Sequence, residues 1–229
     1  MRVKVCGMMT ESDVAACAGA GADALGFVVE YPRQVPWNIG RERARLLSRM
    51  VPPYVSAVLV TSGTDPGRVL ELAECMKPGV VQLHGDETEA EVREAVDLLA
   101  GGLGLKVVKA LRVDASRNLE LERERRGLVE RALAFQECGV DGLLLDSMTE
   151  RMPAGTGVPI SWGAAREVRE AISIPMILAG GLTPSNVSEA IRTVEPYGVD
   201  VITGVEGGER GRKDPEKVRR FVEACRRAF

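Results

Sequence analysis

Short apolar runs, most of them rich in β-branched residues, recur along the chain at Val3–Val5, Ala24–Val29, Tyr54–Val60, Val80–Leu83, Lys106–Leu111, Gly142–Leu145, Pro175–Leu178 and Val199–Ile202. Continuous apolar runs of this length fit strands buried on both faces, as in a parallel sheet covered by helices. Nearly every interval between them carries apolar residues at helical spacing. Eight such units predict a (β/α)8 TIM barrel near the usual size of ~250 residues, as one domain over residues 1–229. A doubly wound open sheet alternates in the same way but rarely needs eight units.

The intervals predict helices over Glu11–Ala20, Arg41–Met50, Asp65–Met76, Glu89–Leu99, Gly163–Ile172, Ser185–Val194 and Pro215–Phe229. Asp65-Pro66 reads as a cap followed by proline in the first turn. Gly21-Ala22-Asp23 and Gly139-Val140-Asp141 read as one repeated device, a helix stop followed by the start of a strand. The interval Ala115–Cys138 is long and rich in Arg and Glu, and its opposite charges largely cancel. It predicts a solvated helix on the outer wall rather than a nucleic-acid patch.

Composition narrows the class. The chain of 229 residues is 45% hydrophobic and 28% charged with net charge -3, ample for a buried core and without a general case for nucleic-acid binding. Five cysteines (Cys6, Cys17, Cys75, Cys138, Cys225) form no CxxC pair, which points to reduced thiols. The chain starts directly in a strand, and no apolar run approaches the ~18 residues of a membrane span. The expectation is a cytoplasmic protein with no membrane partner. With His84 as the single histidine, no metal site is expected.

In a barrel, Cys6 and Asp146 both fall where an apolar strand ends, at the C-terminal rim that carries active sites. A thiol and a carboxyl across one mouth suggest proton transfer. Cys17, Cys75, Cys138 and Cys225 fall in or at the end of helical patterns and fit small buried hydrophobes. Lys4 shares a strand face with Cys6, two residues deeper, and fits a paired structural lysine as well as a functional one. Trp37 and Trp162 read as packing residues. Gly180-Gly181 after the seventh strand, Thr203-Gly204 after the eighth and Gly155-Thr156-Gly157 after the sixth predict a phosphate cradle of backbone N–H groups.

These residues sit within longer motifs: Lys4-Val5-Cys6-Gly7, Gly21 to Val28, Pro32-Arg33, Gln82-Leu83-His84-Gly85-Asp86-Glu87, Leu144-Leu145-Asp146, Ala179-Gly180-Gly181-Leu182 and Gly204-Val205-Glu206. In order and over the whole chain, the set resembles the phosphoribosylanthranilate isomerase family of tryptophan biosynthesis. The resemblance implies a TIM barrel of ribulose-phosphate-binding type and a cofactor-free Amadori rearrangement of a small phosphoribosyl substrate. It implies Asp146 as general acid at the furanose oxygen and Cys6 as general base at C2. It further implies Arg33 on the anthranilate carboxylate, His84 lining the pocket, Gly155, Gly180, Gly181, Thr203 and Gly204 around the phosphate, and a monomer or homodimer. Such chemistry asks for a carboxyl tuned up and a thiol tuned down toward neutrality, with Arg33 the candidate cation beside the thiol.

The chain departs from the family pattern at Met9, where a threonine is usual, at Ala154, at Ile160-Ser161 and at Ile202, where a hydroxyl is lost. These leave room for an altered phosphosugar. Indole-glycerol-phosphate synthase, a pentose-phosphate epimerase and the histidine-pathway isomerase are competing barrels. The first wants a catalytic lysine, the second more than one histidine and the third an aspartate at position 6. A non-catalytic phosphosugar-binding barrel is the alternative outside enzymes.

Overall fold

The computed structural model describes residues 1–114, 119, 121–148 and 160–228. Eight parallel strands follow one another in space: β1 (Arg2–Cys6), β2 (Ala24–Val29), β3 (Ser56–Thr61), β4 (Val80–Leu83), β5 (Lys106–Asp114), β6 (Gly142–Met148), β7 (Met176–Leu178) and β8 (Gly198–Val201). Each pairs with its sequence neighbours, and β1 pairs with both β2 and β8, so the ring closes. Helices α1 (Glu11–Gly19), α2 (Arg41–Ser48), α3 (Pro66–Met76), α4 (Glu89–Val96), α5 (Glu122–Gln136), α6 (Trp162–Ala171), α7 (Val187–Val194) and α8 (Pro215–Arg227) alternate with the strands. Among the described residues no helix is long and apolar enough to cross a membrane.

The closed ring explains the unbroken apolar runs. One set of strand residues, such as Val3, Val5, Leu25, Phe27, Leu59, Leu143 and Val199, packs under the helices. The alternate set faces the barrel axis, where Val58 and Val60 pack near Cys6 and Val28, and Ala110, Leu144 and Ala179 form the other wall. Helix starts are set locally. Thr10 and Thr88 each close a capping box, with Asp13 and Glu91 respectively, and Asp65 and Asp214 cap helices with proline in the first turn.

The repeated Gly-x-Asp device does more than stop a helix. Gly21 and Gly139 take positive φ, +91° and +84°. Asp23 then accepts from the Val3 N–H at 2.8 Å, and Asp141 accepts from the Val107 N–H at 2.9 Å. Each aspartate thus fixes the register of its strand against the one before, at β1–β2 and again at β5–β6.

Several bounds differ from the sequence reading. The run Tyr54–Val60 begins as a strand only at Ser56, because Tyr54 is fully exposed with φ +69°. A two-residue strand, Asn38–Ile39, joins β2 without any apolar run to announce it. β5 continues to Asp114 and β6 to Met148, past the charged residues where the apolar runs end. Helix α5 occupies 122–136 of the charged interval and buries Leu128, Ala132 and Phe135, as an outer-wall helix should.

Candidate active site

Cys6 ends β1 on the inner face and is 5% exposed. Its register partner on β2 is Gly26, and a Cβ there would lie 2.6 Å from the Cys6 Sγ, so the glycine makes room for the thiol. Two residues deeper, the buried Lys4 reaches the Asp200 carboxylate of β8 at 2.8 Å. Burial lowers the Lys4 pKa, but Asp200 and then Cys6 outweigh it and leave the ammonium held above its usual value. Burial pushes the Cys6 thiol up; Lys4 and Lys213 pull it down without cancelling that rise. The cations beside the thiol are therefore these two lysines and not the expected Arg33. Cys17 and Cys225, buried and pushed up to about 12, are packing thiols as expected.

Asp146 lies on the inner face of β6 and is 5% exposed. His84, one residue past β4, places Nε2 3.3 Å from Asp146 Oδ2. The Gln82 amide lies 2.8 Å from His84 Nδ1, and Tyr31 Oη donates to the His84 carbonyl at 2.8 Å. With the amide donating to Nδ1, a neutral ring carries its proton on Nε2. His84 Nε2 makes no hydrogen bond within the described residues, and neither does Asp200 Oδ1.

Cys6, His84, Asp146, Gly180, Gly181, Thr203 and Gly204 line one open cavity at the C-terminal end of the strands. Two of the glycines are demanded by close approach. A Cβ on Gly180 would meet Ser147 of β6 at 2.5 Å, and one on Gly204 would meet the Leu182 carbonyl at 1.9 Å. Asn186 holds the β7 loop by donating to the Gly181 carbonyl at 2.9 Å and accepting from the Thr183 N–H at 2.8 Å. Thr203–Val205 forms a short 3-10 turn after β8.

Two expected site residues stand apart. Arg33 lies off this cavity, largely exposed, and binds Asp86 at 3.3 Å. Gly155 lies outside the described residues, with the rest of 149–159. The cavity also holds residues that the sequence reading left out of the site. Tyr31 and Asp200 line it, and Trp37 forms a buried wall with its indole N–H on the Glu206 carboxylate. For Trp37 the reading as a packing residue holds, but the surface it packs is the cavity.

A closed (β/α)8 barrel with a thiol, a carboxyl and an imidazole in one rim cavity, beside glycine loops from β7 and β8, is a site of the acid–base TIM-barrel enzymes. The sequence signature of the N-(5'phosphoribosyl)anthranilate (PRA) isomerase family matches residues 3–224, and the chain belongs to that family. It is 42% identical over 227 residues to the N-(5'-phosphoribosyl)anthranilate isomerase of Haloferax volcanii, covering 99% of this chain and 94% of the relative. It superposes on the phosphoribosyl anthranilate isomerase of Thermotoga maritima with TM-score 0.82 at 32% identity, covering 99% and 98% of the two chains. A phosphoribosyl anthranilate isomerase crystallised with reduced 1-(o-carboxyphenylamino)-1-deoxyribulose 5-phosphate gives TM-score 0.79 at 31% identity, with 99% and 98% covered.

Proposed function

We propose that this protein is a phosphoribosylanthranilate isomerase that carries out the Amadori rearrangement of N-(5'-phosphoribosyl)anthranilate with Asp146 as acid and Cys6 as base. The observation that carries the assignment of roles is the placement of both groups in one cavity, on strands β6 and β1. Asp146 gives its proton to the furanose oxygen as the C1–O bond breaks, leaving a protonated Schiff base at C1. The Cys6 thiolate then takes the proton from C2, and the electron pair moves into an enolamine. Return of a proton to C1 and loss of the C2 hydroxyl proton give the ketose, and exchange with solvent resets both groups.

His84, its Nε2 3.3 Å from Asp146 Oδ2, lines the sugar site beside that carboxyl. The phosphate rests against Gly180, Gly181, Thr203 and Gly204. Arg33 takes the anthranilate carboxylate, where a guanidinium offers two parallel donors. We read the protein as a single cytoplasmic barrel domain, monomeric or homodimeric, acting on a small phosphoribosyl substrate.

The test is product identity. Substrate made in place from anthranilate and phosphoribosyl pyrophosphate is incubated with the protein and trapped with borohydride. The reduced carboxyphenylamino-deoxyribulose phosphate should accumulate with protein concentration. Recovery of only anthranilate and ribose phosphate, the hydrolysis products, would refute the assignment.

A further inference from the structure

We infer that Arg112 is a second guanidinium for the carboxylate at the aryl end of the substrate, shared with Arg33 in the place that Asp86 holds in the free protein. The inference rests on the isomerase reading above. Arg112 stands on β5 in direct register with Asp146 of β6, so alternation along the strands puts both side chains on the inner face. Its side chain is 3% exposed. Among the described residues, Nη2 is engaged by Asp86 Oδ1, while Nε and Nη1 are buried and find no hydrogen-bond partner.

A buried guanidinium with two unmet donors is costly in the free protein, and a bound acceptor relieves that cost. The structure already shows what kind of acceptor fits. Asp86 gives Oδ1 to Arg112 and Oδ2 to Arg33, so one carboxylate spans both guanidiniums. The Asp86 side chain is itself 65% exposed, an internal carboxylate at the open edge of the rim. The neighbouring Lys109–Glu87 pair, 2.7 Å apart and buried, cancels its own charge.

Position agrees with chemistry. In a closed ring of eight, β4 lies opposite β8, so the cluster from the loops after β2 and β4 and from β5 faces the glycine loops of β7 and β8. A substrate with phosphate at one end and carboxylate at the other spans that mouth. Arg112 lines the groove between the β4 loop, β5 and α5 rather than the cavity of Cys6 and Asp146, and its register with Asp146 sets the carboxylate end at the level of the general acid.

The test compares two ligands by calorimetry on the folded protein: the reduced product, and the same compound without its carboxyl group. For Arg112→Gln, affinity for the carboxylated ligand should fall about 10- to 150-fold, as for a lost hydrogen bond to a charged group. Affinity for the ligand without the carboxyl should stay within about threefold, inside the ordinary scatter of a neutral change. Arg112→Lys keeps the charge without the planar fork, so it should fall between wild type and Arg112→Gln on the carboxylated ligand only, and it decides the matter if the glutamine variant does not fold. Equal losses on both ligands, or no loss on either, would overturn the role. Failure of the wild type to bind either ligand would instead overturn the isomerase reading on which it stands.

Discussion

Gly26→Ala should disable the enzyme while leaving the barrel folded. The new methyl would sit 2.6 Å from the Cys6 Sγ and 3.1 Å from the end of the Lys4 side chain. Ordinary carbon contacts need about 3.5–4.0 Å, so thiol and methyl must separate by roughly 1 Å. A displacement of about 1 Å at a reacting group costs ~10²-fold in rate, which is about 2.7 kcal/mol of transition-state stabilisation. Overpacking costs about 1–3 kcal/mol of stability, and removing a strand glycine returns about 0.5–1. The net loss of up to about 2.5 kcal/mol should lower the Tm by less than about 10 °C. Initial rates from the loss of anthranilate fluorescence, paired with a thermal melt, give both numbers. Because serine is smaller than cysteine, Cys6→Ser combined with Gly26→Ala should cost less stability than the two singles added. Wild-type kcat/KM in Gly26→Ala would show that the thiol is not held against β2.

Two further outcomes follow from the charges. Because burial holds the Cys6 thiol above its usual value and the base acts as thiolate, kcat/KM should rise with pH on the basic side. Lys4→Met removes the nearest opposing cation, so this limb should move to higher pH; an unmoved limb would exclude Lys4 from tuning the thiol. Glu30, hydrogen-bonded by Arg41 with Arg68 behind it, is held down at about 2. A depressed carboxylate stabilises the fold above the unfolded value of about 4.3 and loses that contribution as pH falls toward 2. The stability gap between wild type and Glu30→Gln should therefore close on acidification in denaturant titrations, and a constant gap would contradict it.

The barrel was legible because most strand positions on both faces are apolar, which leaves short runs that helices separate. Bounds failed where chemistry interrupts the pattern. Arg112 and Asp146 end the apolar runs of β5 and β6, yet both strands continue beyond them, because a barrel interior at the rim is polar. Cys6, His84 and Asp146 could be placed at the mouth since each closes an apolar run. The partners could not. Lys4 meets Asp200 from 196 positions away, and only closure of β1 against β8 brings them together. Gly26 reads as an ordinary strand residue until the register sets it against Cys6. The cation expected beside the thiol was misplaced for the same reason: Arg33 is tethered by Asp86 across the rim, a pairing that sequence spacing does not reveal.

The central claim is that Cys6 and Asp146 are the base and acid of one rearrangement. Its most direct test is the fluorescence decay of phosphoribosylanthranilate, generated in place, with wild type, Cys6→Ser and Asp146→Asn, each checked for an unchanged melt. Wild type should consume the substrate, and each variant should lose about 10²- to 10⁴-fold in kcat, the range of a general acid or base. Turnover at the wild-type rate by either folded variant would contradict the role assigned to that residue.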